Sequence, residues 1–199
     1  MYMTVLKMDK NSILTAEKPL DLTKTYDVHQ WVTYQQDRKR EEDKILYRVY
    51  NRENAMFLYI QTLTPFNIDG IDRYGLTFVR SFDVEELYRQ TSEEIHFDVQ
   101  CYPCVKRCGQ KGRYFLNDRN ERKQWLEKQL EKHGAELQSC LEYKIGTINA
   151  NKNRQTPLYL PTVCFKGTLK ITDEEKFLEL ILNGLGRLKT FGLGLVLFR

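Results

Sequence analysis

The sequence predicts an α+β protein built from two tandem ferredoxin-like (RRM-like) βαββαβ domains, residues 1–92 and 93–199. Three observations lead there. The 199 residues suit two domains of about 100 residues each. Runs with strand-like alternation and runs with helical periodicity follow one another as β-α-β-β-α-β through the second half. The first half starts the same order with β-α-β-β. A composition of 41% hydrophobic and 29% charged residues is globular and excludes a mainly disordered chain. No apolar run approaches the roughly 18 residues of a membrane span. Residues 1–9 lack the apolar block of a signal peptide. The expectation is a cytoplasmic protein with no membrane partner.

Residues 2–9 alternate as a strand. Residues 25–36 read as a helix, because Val28, Trp31, Val32 and Gln35 recur on one side. Residues 45–50 and 56–63 are the next strands, with Asn51–Asn54 as a hairpin loop. Residues 65–72 form a loop, and 73–92 stay open apart from a strand-like 76–79. In the second half, residues 94–100 are a strand that runs on to Pro103. Residues 104–116 are an irregular basic hairpin around Gly109-Gln-Lys-Gly112. Asp118-x-x-Glu121 opens a helix that ends at His133-Gly134, with Trp125, Leu126 and Leu130 toward the core. Residues 137–145 and 162–171 are strands separated by a polar loop. Thr172-x-x-Glu175 caps a helix whose buried face is Phe177, Leu178, Ile181, Leu182 and Leu185. A glycine-rich turn then leads into a closing strand at 194–198.

Charge is distributed unevenly. Residues 1–97 carry 13 Lys/Arg against 16 Asp/Glu, and residues 98–199 carry 18 against 11. Between Lys106 and Lys123 there are seven basic and two acidic residues. A positive half is what a polyanion partner requires. The five cysteines are odd in number and no export signal precedes them, which argues against a disulfide framework. Cys101-x-x-Cys104-x-x-x-Cys108 lacks a second close pair at zinc-ligand spacing, so no metal is expected.

Two features carry chemistry. Gly184-Leu-Gly186-Arg187-Leu-Lys189-Thr-Phe-Gly192-Leu-Gly194 follows a helix, so it is not a dinucleotide fingerprint, and it holds no Gly-Lys-Ser/Thr of a Walker loop. Its glycines would let backbone N–H groups approach a phosphate chain, with Arg187 and Lys189 adding charge. A helix cap plus a tight turn accounts for one or two of the glycines. On the helix at 25–36, Tyr26 and His29 fall opposite Val28, Trp31 and Val32, on the expected exposed side. A histidine placed there is available for proton transfer.

Thr25-Tyr26-Asp-Val-His29-Gln30, Trp125-Leu126-Glu127-Lys128-Gln129-Leu130, and Thr162-Val-Cys-Phe-Lys-Gly167 followed by Gly184–Gly194 occur together. In order and spacing they resemble the CRISPR-associated repeat-processing endoribonucleases of the CasE type, members of the RAMP superfamily and subunits of the type I-E Cascade complex. The resemblance covers nearly the whole chain. It implies metal-independent cleavage of precursor CRISPR RNA at the base of the repeat stem-loop, leaving 2′,3′-cyclic phosphate and 5′-hydroxyl ends, with no cofactor. It implies retention of the mature crRNA, association with other Cascade subunits, and a monomer when free. By the resemblance His29 is the general acid/base, Tyr26 assists it and Lys189 neutralises the scissile phosphate. RNA contacts are expected from Lys106, Arg107, Lys111, Arg113, Gly184, Gly186, Arg187, Gly192 and Gly194. Relatives often show Arg-x-Arg-Ala-Asn-Pro where this chain has Asp98-Val-Gln100-Cys101-Tyr102-Pro103. The basic hairpin that follows offers cations in place of those arginines. A catalytically silent RNA-binding subunit is the alternative, and a cysteine-based metal or redox protein is a third reading.

Overall fold

Two four-stranded antiparallel sheets organise the chain. The structure, a computed structural model, describes residues 1–89, 94–106, 108–109, 111–150 and 158–198. It divides into two compact units. The first comprises Met1–Gln90, Ile148–Tyr159 and Thr190–Gly192; the second comprises Thr91–Thr147, Leu160–Lys189 and Leu193–Arg199.

In the first unit, β1 (Tyr2–Asp9) leads into a short helix α1 (Lys10–Thr15). Asp9 caps that helix reciprocally: its carboxylate accepts from the Ser12 amide, and the Ser12 hydroxyl accepts from the Asp9 amide. Next come α2 (Thr25–Gln36), α3 (Arg40–Asp43), β2 (Leu46–Arg52) and β3 (Ala55–Thr62). The unit closes with β4 (Thr77–Asp83) and α4 (Val84–Arg89), which resolve the stretch left open by the sequence. The sheet order is β2-β3-β1-β4. β1 pairs with β3 from Tyr2↔Thr62 to Asp9↔Ala55, and a bulge at Val5/Leu6 adjusts its pairing with β4. This is the ferredoxin-like strand order, but a 3₁₀ turn at Ile71–Tyr74 stands where the second helix is expected. Pro65 lacks an amide donor, and Gly70 and Gly75 both take positive φ, so a helix cannot propagate here.

The periodicity of α2 is realised: Val28, Trp31, Val32 and Gln35 are buried, the first three in one cluster with Leu6, Met8, Tyr47, Leu58 and Ile60, while the Gln35 amide donates to the Asp69 carbonyl. Asp43, at the end of α3, is wholly buried. Its carboxylate accepts from the Leu63 and Thr64 amides at 3.1 Å each and from Gln36 Nε2 at 2.7 Å. Removing it strands these donors away from water. Asp43→Ala is expected to lower the unfolding free energy by about 2–3 kcal/mol, measured by urea denaturation. A midpoint within error of wild type would show that water replaces the carboxylate.

The second unit contains β5 (Glu94–Cys101), the hairpin β6 (Cys104–Val105) and β7 (Tyr114–Phe115), α5 (Arg119–Lys132), β8 (Ala135–Asn149), β9 (Tyr159–Ile171), α6 (Glu174–Asn183) and β10 (Val196–Phe198). The order β10-β5-β9-β8 repeats that of the first sheet, this time with both helices. Ile95, Phe97 and Val99 alternate into a core shared with Leu126, Leu130, Phe165, Phe177 and Ile181. Two expectations shift. The cap of α6 is Asp173, whose carboxylate accepts from the Lys176 amide; Thr172 does not cap it. Its fully buried stripe is Phe177, Leu180 and Ile181, while Leu178 and Leu182 are half-buried. Strands β8 and β9 also run into the segment read as a polar loop.

Arg122 of α5 ties the basic hairpin to the sheet. It forms a bidentate pair with Glu142 of β8 at 2.8 and 2.6 Å and donates to the Leu116 and Asn117 carbonyls, where the hairpin ends. None of the five cysteines is in a disulfide. Among the described residues, no cluster of three or more His, Cys, Asp or Glu could hold a metal ion, and no helix is long and apolar enough to cross a membrane.

Candidate nucleic-acid interface and catalytic pair

Helix α2 starts from two fixed points within the first unit. The Thr25 hydroxyl donates to the Asn149 carbonyl at 2.6 Å. The Tyr47 hydroxyl donates to the Thr25 carbonyl at 2.5 Å and lies 2.9 Å from the Thr190 carbonyl. Burial pushes the Tyr47 phenol far above its ordinary pKa, so it stays a donor. These bonds tether the start of α2, which carries Tyr26 in its first turn and His29 at the beginning of its second. Their ring centres are 6.1 Å apart. The His29 ring stacks on Tyr47 at 6.5 Å with 15° between planes, and Tyr26 lies 6.4 Å from Phe191.

Both residues are half-buried, which corrects the expectation of an exposed face. Helical periodicity sees only the helix. Tyr47 of β2, itself part of the core, lies against the His29 ring, and Phe191 from the glycine-rich loop lies against Tyr26. The outcome is a histidine held among aromatic rings, a pre-organised setting for proton transfer.

The glycine-rich loop behaves differently from a phosphate cradle. Gly184, Gly186, Gly192 and Gly194 all have positive φ. A Cβ on Gly194 would strike the Leu185 carbonyl, and one on Gly192 would lie 2.8 Å from the Tyr47 ring. The amide of Gly184 donates to Leu180 O and that of Gly194 to Gln100 O, while the Gly194 carbonyl accepts from Leu185 N. Gly184, Gly192 and Gly194 are buried. These three shape the loop, and the amides of Gly184 and Gly194 are already engaged by the chain itself. The loop's charge lies in its side chains.

Those side chains enter a groove of about 770 Å³ in the second unit. Among the described residues, six cations line it: Lys106 and Arg113 from the hairpin, Lys128 and Lys132 from α5, and Arg187 and Lys189 from the loop. Glu121 is the one carboxylate among the described lining residues. Trp125, expected in the core, is half-buried in the groove wall, where its indole limits the space at Gly186 to about 3.1 Å for an added Cβ. Burial lowers the pKa of His133, and Lys132 and Lys189 lower it further, so this histidine favours its neutral form. Burial raises the Cys104 thiol despite Arg113 and Arg187, so it is no thiolate nucleophile.

The structure thus gathers Lys106, Arg113, Gly184, Gly186, Arg187 and Lys189 in one place, and Tyr26 and His29 in another. Lys111 is exposed on the hairpin outside the groove lining, and Arg107 lies outside the described residues. Sequence reasoning missed Lys128 and Lys132. Their signal was the stripe Glu121, Gln124, Trp125, Lys128, Gln129 and Lys132 along α5, which spacing alone does not separate from a solvated face. At the positions where relatives often carry arginines, Asp98 accepts from the Tyr143 hydroxyl at 3.0 Å and Gln100 donates to Thr162 at 3.1 Å. Both are spent inside the sheet.

A family model described as CRISPR associated protein matches residues 1–199. Solved structures share the fold. CRISPR endoribonuclease Cse3 bound to a 19 nt RNA is 20% identical, with 100% of each chain covered and a TM-score of 0.85. Thermus thermophilus Cse3, bound to an RNA representing a pre-cleavage complex, is 21% identical with both chains fully covered, at 0.80. Cas6e from Escherichia coli str. K-12 is 19% identical, covering 100% of this chain and 98% of its own, at 0.71. No curated protein matches the chain. These structures bear out the fold that the CasE-type resemblance implies, and with its full length matched by that model the chain belongs to the CRISPR-associated protein family.

Proposed function

We infer that the protein is a repeat-processing endoribonuclease that cuts precursor CRISPR RNA at the base of the repeat stem-loop and keeps the product. The observation that carries this reading is the Tyr26–His29 pair held among Tyr47 and Phe191 in a family of CRISPR-associated proteins. Similar folds are those of an endoribonuclease bound to RNA and of a chain in a CRISPR RNA-guided surveillance complex, which supports a place beside other complex subunits.

The stem's phosphates sit along the six-cation groove, which reads shape and charge more than base edges. The 2′-hydroxyl next to the scissile phosphate attacks phosphorus. His29 takes its proton and returns one to the departing 5′ oxygen, and Tyr26 orients the ring. Bond formation to O2′ and loss of O5′ leave a 2′,3′-cyclic phosphate and a 5′-hydroxyl. Lys189 offsets charge that builds on the phosphate oxygens.

The test is the chain's own repeat RNA with one 2′-deoxy nucleotide just upstream of the cut. It should bind as the all-ribose RNA does and remain whole, while the all-ribose RNA is cut in excess EDTA. Cutting of the deoxy RNA, or activity lost in EDTA and restored by magnesium, rules out this mechanism. The engaged Asp98 and Gln100 favour the silent RNA-binding reading, which predicts binding of the all-ribose RNA with no cut at all.

A further inference from the structure

The hairpin of β2 and β3 in the first unit carries a cluster that the chemistry above leaves unused. Tyr50 on β2 and Phe57 on β3 are direct cross-strand partners. The Arg52 guanidinium carbon lies 5.8 Å from the Tyr50 ring centre and 5.6 Å from that of Phe57, and Arg48 comes within 5.4 Å of Tyr50. Arg52 is exposed, and both rings are half-buried. The hollow around them, about 950 Å³, is also lined by Asn51 at the end of β2 and Asn54 of the turn, with Glu53 as its one carboxylate among the described residues. It shares no residue with the cationic groove.

Each component has a chemical preference. Aromatic faces alone would suit an apolar protein segment, and a guanidinium alone would suit any anion. Two ring faces, a guanidinium shared between them and two amides within one hollow match the parts of a nucleotide. The base stacks on a ring or on the guanidinium, the phosphate pairs with the arginine, and the amides reach the base edge. Bases in a paired stem are stacked on one another and are not free to do this. We propose that this hairpin binds an unpaired nucleotide of the RNA flanking the repeat stem, so that the protein holds stem and single strand on different units. The inference rests on the repeat-RNA function proposed above.

Fluorescence anisotropy on the full chain tests it with four probes: the stem-loop alone, the stem-loop with a short unpaired uridine run on its 5′ side, the same on its 3′ side, and the uridine run by itself. One extended RNA should bind wild type about five- to hundredfold more tightly than the bare stem-loop. Arg52→Ala and Phe57→Leu, tested separately, should abolish that gain and leave bare-stem affinity unchanged. Arg52→Ala removes an exposed side chain and Phe57→Leu keeps an apolar one, so the fold is retained. No gain in wild type, or a gain that survives both substitutions, overturns the proposal. A gain that survives while assembly with protein subunits is lost also overturns it, by assigning the hairpin to a protein partner. If the stem-loop fails to bind but the uridine run binds through Arg52, the repeat-RNA reading falls and the hairpin site stands.

Discussion

His29→Ala should slow cleavage of the repeat RNA by about 10² to 10⁴ while leaving affinity for the stem nearly unchanged, since that is the usual range for loss of a general acid/base. Single-turnover cleavage with enzyme in excess isolates the chemical step. The half-buried setting refines the expectation. Removing the imidazole takes a ring from the stack with Tyr47 and from beside Tyr26, so a stability loss of about 1 kcal/mol accompanies the rate loss. That loss leaves the chain folded. Tyr26→Phe keeps the ring contact with Phe191 and removes only the hydroxyl, so it separates packing from proton chemistry. A His29→Ala enzyme that cuts at the wild-type rate removes this residue from the mechanism. A large loss of binding would instead make it an RNA contact.

Replacing Lys106, Arg113, Lys128 and Lys132 together by Ala should weaken RNA binding by about 10² to 10³ near physiological salt. Each neutralised phosphate contributes a slope of about 0.7–0.9 in log K against log salt, and four lost contacts at that slope give this range. The same variant should show a slope shallower by about three. Lys111→Ala is the internal comparison, because Lys111 lies outside the groove lining and should move the slope by less than one contact. Arg187 and Lys189 are kept, so the glycine-rich loop is undisturbed. A quadruple variant with unchanged slope places the RNA elsewhere on the protein.

Much of the second unit was legible in the sequence because its signals are local. Asp118 accepts from the Asn120 and Glu121 amides as a cap should, and Gly134 ends α5 with positive φ. Signals that depend on another element were not legible. The Tyr26–His29 face reads as exposed until Tyr47 and Phe191 are placed against it. The choice between Thr172 and Asp173 as the cap of α6 turns on Gly134, whose carbonyl accepts from both the Thr172 and Asp173 amides. The four loop glycines read as ligand contacts, yet the neighbours that require Gly192 and Gly194 lie far off in sequence or across the turn: the Tyr47 ring and the Leu185 carbonyl. Lys128 and Lys132 were invisible as a site because a charged helix face carries no mark of what it will meet.

The membership of residues 148–150, 158–159 and 190–192 in the first unit bears on how this protein is inherited. A fragment ending near Gln90 would lack the Asn149 carbonyl that receives the Thr25 hydroxyl, the Thr190 carbonyl beside the Tyr47 hydroxyl, and the Phe191 ring next to Tyr26. All three sit at the start of α2. A single genetic crossover between the two repeats of the fold would transplant His29 without its surroundings. The two sheets share a strand order, yet the halves of the chain are not exchangeable parts: the surroundings of His29 pass on only when both are inherited together.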